Sequence, residues 1–189
     1  TNNTGLGLRS LYTNTTGASN TALGRDALYA NTTASDNTAV GYNALTANTT
    51  GNKNTAVGQN ALIANTTGTI NVALGNGALQ TATTADGNTA VGSGAQLYTT
   101  TGAGNTSIGR IALFYNTTGA SNVAVGKEAL FNSTTASNNT AVGFQSALGT
   151  TTGANNTALG TYSFFTNSTG ADNVAVGHQA NYYNTTGSS

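Results

Sequence analysis

Residues able to do acid–base or nucleophilic chemistry are few in this chain: five Asp and Glu, a single histidine, His178, and no cysteine. A glycosidase needs two carboxylates facing one bond, a hydrolase needs a nucleophile with a base and an orienting group, and a metal site needs convergent donors. Asp26 with Glu128 is the acid pair to test and His178 the one base. Gly75-Asn76-Gly77 and Gly92-Ser93-Gly94 have an outward likeness to phosphate loops. What any of these can do depends on the elements that position them.

Those elements are copies of one unit. Asn recurs at Asn3, Asn20, Asn37, Asn54, Asn71, Asn88, Asn105, Asn122, Asn139, Asn156 and Asn173, a spacing of 17 with no insertion or deletion. The eleven units read N-[T/V]-A-[V/L/I]-G-x-x-A-L-x-x-N-T-T-G-x-x, with Asn at unit position 1, Gly at 5 and Thr at 14 in every copy. Such a period is the mark of a solenoid, in which one unit is one coil and equivalent residues stack about 4.8 Å apart. Stacked Asn side chains can satisfy their amides with the copies above and below, so position 1 is expected to form an inward-facing structural ladder. Gly at position 5, and Gly or Ala at position 15, mark two bends. A helix is ruled out by β-branched Thr and Val alternating with Gly and Asn.

The fold class is therefore all-β: a parallel β-solenoid of eleven 17-residue coils, one repeat domain over residues 1–189 with the units at 3–189. Two short strands per coil are expected, N-T-A-V and a stretch around A-L-x-x-N-T-T. Positions 3 and 4 are both apolar, as are 8 and 9, although adjacent strand residues face opposite ways. One face fills the coil; the other predicts a hydrophobic stripe against which further chains pack. Charged residues fall only at positions 6, 7, 16 and 17 and read as solvent corners. Position 10 carries Tyr12, Tyr29, Phe114, Phe131, Phe165 and Tyr182, a candidate aromatic contact stripe for chain packing or for stacking on sugars.

Set in this frame, the chemistry recedes. Asp26 and Glu128 share a column but lie six coils apart, roughly 29 Å at the stacking distance. The Gly-x-Gly segments sit at the ordinary bend and open no helix. Acids scattered over eleven coils do not supply the Asp per turn of a calcium-binding roll. The reading is a non-enzyme with no catalytic, cofactor or metal residues. Sequons recur in one column at Asn14, Asn31, Asn48, Asn65, Asn116, Asn167 and Asn184, the pattern of a glycan-coated extracellular glycoprotein. Formal net charge is zero, which gives no basic footprint for nucleic acid. The longest apolar run, residues 111–115, is far short of a membrane span of about 20 residues.

The segments NTAVGYNAL (37–45), NTAVGQNAL (54–62) and NVAVGKEAL (122–130) resemble the head repeats of trimeric autotransporter adhesins and equally the repeats of phage tail-fibre proteins. The likeness extends over all eleven units, with a longer unit here around N-T-T. It implies a left-handed β-roll, three rolls side by side as a homotrimer, and an extracellular place on a cell surface or virion. The expected function is a structural or adhesive fibre segment, part of a longer fibre or an end-to-end filament, facing a host-surface or glycan receptor. The alternatives are an ice-binding solenoid using its Thr columns, of which positions 13 and 14 cannot both face outward, and a glycan-binding adhesin using the aromatic stripe.

Overall fold

The computed structural model describes residues 2–188; Thr1 and Ser189, the last residue of the eleventh unit, lie outside the described residues. Eleven three-residue strands, from β1 (Thr4–Leu6) and β2 (Thr21–Leu23) to β10 (Thr157–Leu159) and β11 (Val174–Val176), recur at the 17-residue spacing. They form one parallel sheet in chain order. Each residue pairs with its counterpart one unit on: Thr21 with Thr38, Ala39 with Ala56, Val125 with Val142. The chain is a parallel β-solenoid with one unit per coil and no helix among the described residues.

The second strand expected in each coil is not formed. Unit positions 7 and 9 take the left-handed conformation instead, with φ of 60° at Asp26 and 51° at Leu28, and 61° at Glu128 and 50° at Leu130. Tight turns follow, closed by Ala27 N–H to Gly24 O at 3.4 Å and Asn31 N–H to Leu28 O at 3.3 Å. The stretch still bonds coil to coil, through Leu28 N–H to Ala44 O at 3.0 Å and Ala30 N–H to Thr46 O at 2.9 Å. A left-handed leucine costs about 1–2 kcal/mol. Burying its side chain contributes about 1.5–3 kcal/mol, so burial wins.

Because of those turns, neighbouring side chains at positions 8 and 9 both point inward: Ala44 and Leu45 are buried, as are Ala61 with Leu62 and Ala129 with Leu130. This corrects the expectation of a second outer apolar stripe at those positions. In the true strand the alternation holds, with Ala at position 3 buried and the residues at 2 and 4 on the outer face. The core is thin, built from Ala at 3 and 8 and Leu at 9. It divides into two clusters, Ala22 to Ala95 and Ala112 to Ala175. Between them lies a polar layer where Gln96 replaces Leu and Ser107 replaces Ala, joined by Gln96 Nε2 to Ser107 Oγ at 3.0 Å.

Position 5 explains itself at one representative coil. Gly58 has φ of 135°, and a Cβ there would stand 2.5 Å from Gly75 O of the next coil. Both the dihedral and the backbone approach demand glycine.

Candidate functional site: ladders and outer columns

The Asn column at position 1 ties every coil to the next. Asn37 N–H donates to Asn20 Oδ1 at 3.0 Å, Asn54 N–H to Asn37 Oδ1 at 2.9 Å and Asn71 N–H to Asn54 Oδ1 at 2.9 Å, and the series runs from Asn3 to Asn173. The main donor is thus the main-chain N–H; a side-chain amide bond joins it in some coils, as at Asn105 Nδ2 to Asn88 Oδ1, 3.2 Å. Each Nδ2 also reaches the carbonyl at position 15, as Asn54 does to Gly68 O at 2.8 Å.

A second Asn ladder, not anticipated, runs at position 12. Asn31 Nδ2 donates to Asn14 Oδ1 at 2.8 Å, Asn48 Nδ2 to Asn31 Oδ1 at 3.1 Å and Asn65 Nδ2 to Asn48 Oδ1 at 2.8 Å. These are the sequon asparagines. Asn31, Asn48, Asn65, Asn116 and Asn167 are fully buried, and Asn14 and Asn184 are half-buried with their amides bonded to Gly17 O and Gly187 O. The expectation of glycans on this column is therefore corrected: at the five buried positions the nitrogen a glycan would occupy is spent inside the rod, and a sugar there would prevent the coil from closing. The signal was visible, since a residue recurring in phase with Leu at position 9 is as fit for a ladder as for a sequon.

Two of the carboxylates link one coil to the next. Asp26, expected at a solvent corner, is buried; its Oδ2 accepts from Arg9 Nη2 at 2.9 Å and Arg25 Nε at 3.2 Å, and its Oδ1 stands 2.7 Å from Arg9 Nε as an ion pair. The hydrogen bond from Arg9 holds its carboxyl below the usual aspartate range, against the opposing pull of burial. Glu128 is likewise held low, first by the amide of Gln145 one coil on, then by Lys127 at 3.2 Å. His178 is exposed and meets the ring of Tyr162 at 6.2 Å. Among the described residues no three His, Cys, Asp or Glu cluster as metal donors would.

The aromatic column is interrupted, not a stripe. Tyr12 stacks on Tyr29 at 5.4 Å, Phe114 on Phe131 at 5.3 Å and Phe165 on Tyr182 at 4.9 Å, three separate pairs. Thr46, Ile63, Gln80, Leu97 and Leu148 occupy the coils between. At position 11, Tyr98 stacks on Tyr115 at 5.5 Å beside the middle pair. These two rings and the threonines at position 13 wall an open groove of about 570 Å³. Its threonine hydroxyls are turned away: Thr100 donates to Thr117 O and Thr117 to Thr134 O, at 3.1 and 3.0 Å.

Two outer columns remain. At position 14 the threonines are exposed from Thr16 to Thr186, while at position 13 the hydroxyls are tied to the next coil. That leaves one outward Thr column at this corner. On the sheet, position 4 presents an unbroken aliphatic file, with Leu74 36%, Ile108 44% and Val142 38% exposed at its middle. No known protein family, characterised protein or solved structure matches the chain.

Proposed function

We propose that the chain is a non-catalytic, structural and adhesive fibre segment, working outside the cell on a cell surface or virion, in which three left-handed rolls pack side by side as a homotrimer. The observation that carries this reading is the aliphatic file at position 4. Ten coil-to-coil steps give it a length of about 48 Å, and it lies beside the Thr and Val of position 2 on the outer face of one parallel sheet. An apolar strip of that length is rarely left to water, and pairing it with another copy matches like with like along the axis. The ladders serve the same end, since they make a rod stiff without a large core. Receptor contact by the outward columns completes the adhesive part of the reading.

Sedimentation equilibrium tests it. The chain is expected to run as a trimer, and Val91→Asp with Val125→Asp is expected to release monomers that keep the β signal in circular dichroism. A monomeric parent chain would overturn the packing.

The groove beside Tyr98 and Tyr115 favours a second reading, a glycan-binding adhesin, because ring faces and methyl groups suit the apolar faces of sugars. Binding on a glycan array that disappears in Tyr98→Ala with Tyr115→Ala is the expected outcome, and a blank array with the parent chain would remove it.

A further inference from the structure

The position-12 ladder is interrupted where Ala82, Thr99, Ser133 and Thr150 replace Asn. In the Asn coils the position-15 carbonyl is a fork that accepts from both columns: Gly119 O takes Asn105 Nδ2 at 2.9 Å and Asn116 Nδ2 at 3.0 Å. Where Ser133 stands, Ala136 O takes only the bond from Asn122 Nδ2, at 2.8 Å. The Oδ1 of the preceding Asn116, which an asparagine at 133 would reach, is buried with no protein partner, and so is Ser133 Oγ. Three coils earlier the same pattern holds: Asn65 Oδ1 is buried without a protein partner beside Ala82, and Ala85 O takes only Asn71 Nδ2, at 2.7 Å.

The coil path does not close over these gaps. Thr117 N–H to Thr134 O at 2.8 Å and Thr134 N–H to Thr151 O at 3.0 Å keep the neighbouring coils at their ordinary separation, and the turn from Ser133 N–H to Leu130 O, 3.2 Å, repeats that of the Asn coils. Ala lacks the whole amide head of Asn, and Ser has only a hydroxyl in its place.

From this we infer that one internal water molecule is built into the rod at each of these two coils, standing where the missing amide nitrogen would be. At Ser133 the water donates to Asn116 Oδ1 and Ala136 O and accepts from the Ser133 hydroxyl. At Ala82 it donates to Asn65 Oδ1 and Ala85 O. Two or three polar partners in an enclosed polar site are what a buried water requires. The solenoid thus has interchangeable means of passing its inner ladder across a coil, an amide or a water, beside the hydroxyl with which Thr99 accepts from Asn116 Nδ2 at 3.3 Å. This inference is independent of the trimeric reading.

Water ¹⁷O relaxation dispersion on the whole chain tests it, because it counts waters that stay inside for longer than the rotational time. The parent protein is expected to show long-lived waters. Ser133→Asn and Ala82→Asn are each expected to lower the count by one and to raise the melting temperature by about 2–4 °C. A parent chain without long-lived water would overturn the proposal, as would Asn variants that melt lower with the dispersion unchanged. If one variant fails to fold, the other and the parent dispersion still decide.

Discussion

The two asparagine columns of this rod differ in what they hold. At position 1 the side-chain oxygen receives a main-chain N–H of the next coil, as Asn71 Oδ1 does from Asn88 at 2.9 Å. At position 12 what it receives from the next coil is another side chain, as Asn31 Oδ1 does from Asn48, and the main-chain N–H groups that reach Asn167 and Asn184 come from their own coils. A main-chain donor cannot be removed by changing its own side chain, so a gap at position 1 would strand a buried N–H in the coil above. A gap at position 12 strands one carbonyl-type oxygen, a lesser fault that a water can mend. Within this one chain the first column is Asn in all eleven units and the second in seven, which is the order these penalties predict.

Single alanine replacements would break that comparison or sharpen it. Asn71→Ala should have the largest effect, about 3 kcal/mol, because it strands Asn88 N–H and removes the bond to Ala85 O. Asn48→Ala should cost about half as much, since it leaves Asn31 Oδ1 unpaired but no main-chain group. Asn65→Ala should cost least of the three, about 1 kcal/mol, because its own Oδ1 is already without a protein partner. Urea titrations would rank them. Equal losses for Asn71→Ala and Asn48→Ala would mean that the ladders are equivalent and that the main-chain bond carries no special weight.

How much of this was legible in the sequence follows from the same contrast. Strict period and Gly at position 5 sufficed for the solenoid, its coil length and the column at position 1, because stacking like on like depends only on spacing. The course of the chain between positions 6 and 14 was not legible. Leu at position 9 is an unfavourable residue for a left-handed turn, and nothing local in A-L-x-x-N announces one; the turn exists because it lets Ala44 and Leu45 share the interior. Without that turn the neighbouring columns are misplaced: position 12 reads as a surface sequon although it is core, and positions 8 and 9 read as a second stripe. Gln96 shows the converse. A polar residue in a Leu column looks like a fault until Ser107, eleven residues on, is seen to meet it.

Outer links between coils add to the ladders, and the ion pair of Arg9 with Asp26 is one that acidity can probe. Its carboxylate is held below the ordinary aspartate range, chiefly by the hydrogen bond from Arg9. Folding therefore favours the charged form, and the stabilisation is present above the unfolded-state value of about 4 and disappears as pH falls through the lower folded-state value. The parent chain should melt above Asp26→Asn at pH 6, and the gap should shrink steadily below about pH 4. Because Asp26 is buried while Arg9 is about half in solvent, 0.5 M salt should narrow the gap without closing it. A gap that stays constant from pH 6 to pH 2 would show that the aspartate acts through packing at the corner, with its charge contributing nothing to the joining of the first two coils.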